Sequence, residues 1–117
     1  MIFLGRVLLA ALFLAGALQK AMDPAPVQSL LAGQGWPAWM VWPALGLNAV
    51  GALALLVGVY PRSAAAGLAL YCAVTSLFHF IPEDPWQMSI FVKNWAIAGG
   101  LLVLAGQGGG RWVLRPD

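Results

Sequence analysis

The chain has one cysteine, one histidine and only four acidic residues in 117 positions. A single cysteine, Cys72, leaves no internal disulfide, no Cys-x-x-Cys redox pair and no cysteine-rich zinc site. A single histidine, His79, excludes a haem held by two histidines of one chain. Charged residues make up 9% of the sequence, and the net charge of +2 is too small and too scattered for a nucleic-acid footprint, so no nucleic acid partner is expected. The length admits no flavin fold or separate soluble catalytic domain. No haem, flavin or metal site is therefore expected within this chain alone. What it has in abundance is apolar: 62% of residues are hydrophobic and the mean hydropathy is +0.84. That composition is the opposite of disorder, despite 14 Gly and 8 Pro. It marks an integral membrane protein, whose glycines suit close helix contacts in lipid.

The apolar residues fall into four runs near the ~20 residues needed to cross a ~30 Å hydrocarbon core. The first, 2–22, stops at Asp23-Pro24-Ala25-Pro26. With no basic stretch before Ile2 it reads as a mature helix and not a secretory leader. The second, 39–60, is closed by Pro61. The third, 62–81, ends at Ile81-Pro82, and the fourth, 87–105, runs into Gly106-Gln107-Gly108-Gly109-Gly110, which reads as a helix stop and a flexible tail over 106–117. No run alternates with period 2 over ~10 residues, which argues against a membrane barrel. The predicted fold is all-α: one domain, 1–117, forming a four-transmembrane-helix bundle with both termini on the same side. The longest connection, 23–38, holds Val27-Gln28-Ser29-Leu30-Leu31, one or two turns lying flat as a lid or as a plain interfacial loop.

Arg6, Arg62, Arg111 and Arg115 share one side of such a bundle, against Lys20 and Lys93 on the other. The positive-inside tendency then puts the termini in the cytoplasm. Trp36, Trp39, Trp42 and Trp86 gather at the far interface and Trp112 marks the near one, as aromatic belts do.

Polar side chains inside lipid are costly, so each one within a span is a functional hypothesis. Arg6 and Lys20 lie 14 residues apart, about 40° on one stripe of the first helix. Each could equally snorkel to its own interface. Cys72, Thr75, Ser76 and His79 occupy offsets 0, 3, 4 and 7, a ~60° polar sector. Thr75 and Ser76 can also be satisfied by their own helix carbonyls. Asn48 is deep in the second span, and Lys93 and Asn94 lie about 9 Å below the start of the fourth. Lys20, Asn48, His79, Lys93 and Asn94 are therefore expected to converge in one outer-half pocket, with Asp23, Glu83 and Asp84 just above it.

These residues carry a resemblance to the DoxX family of small four-helix bacterial and archaeal membrane proteins. It extends over nearly the whole chain. The matching stretches are Arg6-Val-Leu-Leu-Ala-Ala-Leu-Phe-Leu-Ala-Gly16 with Lys20, Gly58-Val-Tyr-Pro-Arg62, Phe78-His79-Phe80 and Gly109-Gly-Arg111-Trp-Val-Leu. The most specific is Phe91-Val-Lys93-Asn94-Trp-Ala-Ile-Ala-Gly99-Gly100-Leu-Leu. Ile81-Pro82 departs from the family, where many relatives continue with an acidic or aromatic residue. The resemblance implies a cytoplasmic (inner) membrane location and a role in quinone-dependent oxidation, as in thiosulfate:quinone oxidoreductase and terminal quinol oxidase assemblies. It also implies scaffolding of soluble redox proteins such as sulfurtransferase and superoxide dismutase.

Two functions follow as expectations. In the first, the chain is the membrane subunit of a redox complex that binds quinone or quinol through Lys20, Asn48, His79, Lys93 and Asn94. Lys93 and Asn94 would donate hydrogen bonds to a carbonyl, and His79 would exchange the accompanying proton, which makes His79 and Lys93 the candidate catalytic pair. A redox partner protein must then bring the electrons. In the second, the chain is a non-catalytic anchor or assembly scaffold, with homo-oligomers possible through small-xxx-small pairs such as Ala96-x3-Gly100. A transporter is a third reading, and it would need an oligomer to enclose a path.

Overall fold

The computed structural model describes residues 1–110 and 113–116. Among them the regular elements are helical: α1 (Ile2–Met22), α2 (Ala25–Gly33), α3 (Val41–Val57), α4 (Pro61–Ser76) and α5 (Pro85–Gln107), with one-turn 3-10 segments at Ala38–Met40 and Leu77–His79. Proline occupies the first turn of α2, α4 and α5, where its missing N–H costs nothing and its fixed φ favours the helix. Before α5 the Asp84 carboxylate accepts hydrogen bonds from the N–H groups of Trp86 (3.0 Å) and Gln87 (3.4 Å). Asp84→Ala is expected to cost about 1 kcal/mol by loss of this cap, read as a lower denaturation midpoint in detergent. α3 ends at Gly58, whose φ of 77° is left-handed. Tyr60 follows with φ 46°, turning the chain into Pro61.

α1 packs along α3 and α4 along α5, contacts between α3 and α4 join the two pairs, and α1 meets α5 only thinly. The core is lined by Ala10, Phe13, Ala52, Leu55, Leu68 and Leu101. Small residues set its spacing: a Cβ on Gly51 would lie 2.8 Å from Leu68 Cδ2, so α3 and α4 are in contact where Gly51 has no side chain. Large apolar residues such as Leu8, Leu18, Val50, Leu70, Val92 and Leu102 face outward. Such a surface is stable only in lipid. Three helices are long and apolar enough to cross a membrane: Ile2–Met22, Ala38–Val57 and Pro85–Gln107. α4, at 16 residues, falls short of that length by itself.

Several expected boundaries move. The third helix ends at Ser76 and continues only as a 3-10 turn over Leu77–His79. α5 begins two residues earlier and runs through Gly106 to Gln107. The 23–38 connection holds nine helical residues, not one or two turns.

The expectation of a flexible tail needs correction. Leu114 N–H donates to Val57 O (3.3 Å), Arg115 N–H to Gly58 O (3.0 Å) and Tyr60 N–H to Arg115 O (2.7 Å), so the tail is bonded to the α3–α4 turn. Glycine permits the approach. A Cβ on Gly109 would stand 2.5 Å from Pro61 Cγ, and one on Gly110, at φ 71°, 3.0 Å from Ile2. The start of α1, the α3–α4 turn and the segment after α5 thus meet at one end of the molecule. Arg111 and Trp112, used above for orientation, lie outside the described residues.

Candidate functional site

Lys20 sits in the last turn of α1. Helical side chains tilt toward their own N-terminus, which for α1 is away from the nearer end of the molecule and into the bundle. Its ammonium does lie one turn back: a Cβ on Gly16 would be 3.8 Å from Lys20 Nζ and 3.4 Å from Asn48 Nδ2. The two polar groups therefore flank one glycine and lie within about 7 Å of each other, and a side chain at position 16 would crowd both.

Asn48 is 3% exposed, at the middle of the Ala38–Val57 segment. Across the α3–α4 interface the Tyr71 hydroxyl is a polar neighbour of its amide. Its carbonyl Oδ1 is buried with no hydrogen-bond partner among the described residues. A lone buried carbonyl costs on the order of 1–3 kcal/mol. Beside it, Gly16, Gln19, Lys20, Asp23, Pro26 and Val27 line a groove of about 460 Å³ between the end of α1 and the start of α2. Asp23 accepts from the Ala25 N–H at 3.3 Å and so fixes the sharp entry into α2. Over this end α2 is held down by Leu31, which is buried. Gln34 donates its side-chain amide to the Phe78 carbonyl, and Trp36 packs edge-on against the Phe78 ring at 5.4 Å.

The remaining residues expected at the site are placed differently. His79 is half-buried, and its Nδ1 lies 2.6 Å from Gln87 Oε1, a bond that clips the end of α4 to the start of α5. Lys93 is exposed on α5, with Asn94 half-buried beside it. Of the five expected residues Lys20 alone lines the groove; Asn48 lies behind Gly16, and His79, Lys93 and Asn94 are elsewhere. The five residues thus divide into an interior pair, Lys20 and Asn48, a clip at His79, and a separate pair on α5, the outward Lys93 and the half-buried Asn94. The polar stripe of α4 is satisfied locally, with Thr75 Oγ1 donating to Tyr71 O (2.8 Å) and Ser76 Oγ to Ala73 O (2.7 Å). Arg6 is fully buried at the opposite end of α1, its guanidinium 5.4 Å from the Phe3 ring centroid. Tyr71 escaped the sequence reading. The signal was there, since it precedes Thr75 by one turn on the same polar side of α4.

A helical protein with a lipid-facing apolar exterior and polar groups gathered within its spans is an integral membrane protein. Residues 1–81 match the DoxX family, and the chain belongs to it. The matched stretch includes Lys20, Asn48, Tyr71 and His79. The chain is also 30% identical over 114 residues to inner membrane protein YqjF of Escherichia coli strain K12, an alignment that spans 97% of this chain and 88% of that protein. No solved structure matches it.

Proposed function

We propose that this protein is the membrane subunit of a quinone-linked redox complex, with the quinone or quinol head group held between Lys20 and Asn48. The observation that carries the reading is the buried, partnerless Oδ1 of Asn48 beside the inward-turned ammonium of Lys20. A quinol hydroxyl satisfies the first by donating, and a quinone carbonyl satisfies the second by accepting. The groove below α2 admits the head group, and an isoprenoid tail leaves into lipid. His79, outside the groove, serves proton exchange, its ring nitrogens able both to donate and to accept a proton. Electrons come from a partner protein.

In this reading the chain crosses the membrane four times. α4 supplies about 24 Å and its 3-10 extension about 6 Å, together the ~30 Å of a hydrocarbon core. Both termini are then cytoplasmic, supported by the arginines at the end where Ile2 and Gly110 meet. Protease added outside spheroplasts is expected to leave a C-terminal tag intact; removal of the tag would reverse the orientation.

The direct test is a photoactivatable short-chain quinone added to native membranes. Labelling is expected on peptides containing Gly16 to Val27 or Asn48, and excess unlabelled quinone should suppress it. A second reading, a non-catalytic anchor for a redox complex, is favoured by the His79–Gln87 bond, which gives the histidine a purely structural task. Absence of labelling from a preparation that retains a stoichiometric redox protein would select it.

A further inference from the structure

Lys93 is the one described cation that a membrane span displays outward near its middle. It stands three residues before Ala96, the midpoint of Pro85–Gln107, hence about 4.5 Å from the level of the helix centre. The hydrocarbon boundary lies roughly 15 Å from that centre. Extended toward the outer end, the direction in which side chains of α5 tilt, a lysine reaches about 6 Å and leaves its ammonium several ångströms inside the apolar layer. It is exposed, and no ion pair or hydrogen bond to it occurs among the described residues. Ionisable groups at such depth pair with one another or line a polar path.

The stripe that carries Lys93 is open. Gly100, seven residues on and about 20° around the helix, forms one wall of a largely apolar groove in the thin α1–α5 seam, whose other wall includes Gly5, Leu9 and the buried Arg6. Gly100 is exposed with nothing within 4 Å of its Cβ position, and Ser89 and Ala96 on the same face are exposed too. A helix laid along this seam would meet apolar surface at one end and a lysine ammonium above it.

We infer that this seam docks a transmembrane helix of a different protein, one bearing an Asp or Glu at the depth of Lys93. Charge identifies the occupant. The four acidic residues of the chain are Asp23, Glu83, Asp84 and Asp117, and the three of them that the structure describes lie outside its helices. In a second copy lying parallel, Glu83 and Asp84 stand nine or ten residues above Lys93, about 13–15 Å along the axis, which leaves about 7–9 Å beyond the reach of the lysine, and the Asp84 carboxylate is already taken up by the N–H groups that start α5. Lipid offers a carboxylate at that depth no better. A foreign carboxylate neutralises the ammonium, and the glycine and alanine beside it let the two backbones approach. The surface is separate from the Lys20–Asn48 site, and contact there does not depend on whether that site takes quinone.

The test is photo-crosslinking in native membranes, with a diazirine amino acid at Ser89 or Ala96. The expected product is an adduct to a transmembrane peptide of another protein, identified by mass spectrometry and containing Asp or Glu within one turn of the linked residue. Its yield should fall at least fivefold in Lys93→Met and persist in Lys93→Arg. As the side chain is exposed, neither change disturbs the core, and equal expression and elution volume verify that. Adducts to lipid alone, to a second copy of this chain or to a helix without a carboxylate would overturn the inference. So would an undiminished yield in Lys93→Met.

Discussion

Lys20→Met, reconstituted in nanodiscs, is expected to bind a short-chain quinone about ten- to a hundredfold more weakly than the parent. A hydrogen bond to a charged donor contributes about 1.5–3 kcal/mol, and 1.4 kcal/mol is a factor of ten in affinity. The ammonium is turned into the bundle beside Asn48, so methionine keeps the length and the packing while removing the donor. Lys20→Arg preserves charge, but its larger planar head must fit against Gly16, and partial recovery is expected. Equal affinities for parent and Lys20→Met would remove the lysine from the site. Equilibrium titration followed by tryptophan fluorescence reads the difference, because Trp36 packs on the segment that closes this end.

The largest structural effect is expected at a position with no side chain at all. Gly51→Leu places a Cβ at 2.8 Å from Leu68 Cδ2 and 3.0 Å from its Cγ, and Leu68 is itself 1% exposed and has nowhere to go. Overpacking of this kind costs typically 1–3 kcal/mol. Here it also wedges α3 from α4 and shifts Asn48 on α3 out of its place. A clear loss of thermal stability in detergent is expected, with quinone binding lost alongside. Gly67→Leu is the control. It lies on α4, exposed, with nothing within 4 Å of its Cβ position, and should melt like the parent. Similar melting of the two variants would mean that α3 and α4 are not in close contact at Gly51.

The helices were legible because punctuation in lipid is coarse. Pro24, Pro61, Pro82 and Pro85 each remove a backbone donor, and a span must otherwise satisfy its own hydrogen bonds, so the breaks between long apolar runs fall where those prolines are. Less legible was what a glycine permits. The run from Gly106 to Gly110 reads as a stop, yet α5 passes through Gly106, and Gly109 lets the chain fold back onto Pro61. A composition signal does not distinguish a loose chain from one that needs glycine to make contact. For the polar residues, position along each span was readable, and the way each side chain leans from it was not. Lys20, Asn48 and Lys93 all lie within spans, but the side-chain tilt that turns Lys20 inward on α1 turns Lys93 toward the outer end on the oppositely directed α5. His79 was placed at the right end of its helix. What captured it was Gln87, eight residues later and across a proline turn, a partner that no helical spacing announces.

The central claim is that Asn48 Oδ1 and Lys20 hold a quinone head group, and the quinone content of the purified protein tests it most directly. The protein is extracted from native membranes in mild detergent, and bound quinone is quantified per chain for the parent and for Asn48→Leu. The account predicts about one quinone per parent chain and less than about a tenth of that in the variant, at an unchanged elution profile, because leucine matches the volume and removes the acceptor. A parent free of quinone, or a variant that retains as much as the parent, would contradict it.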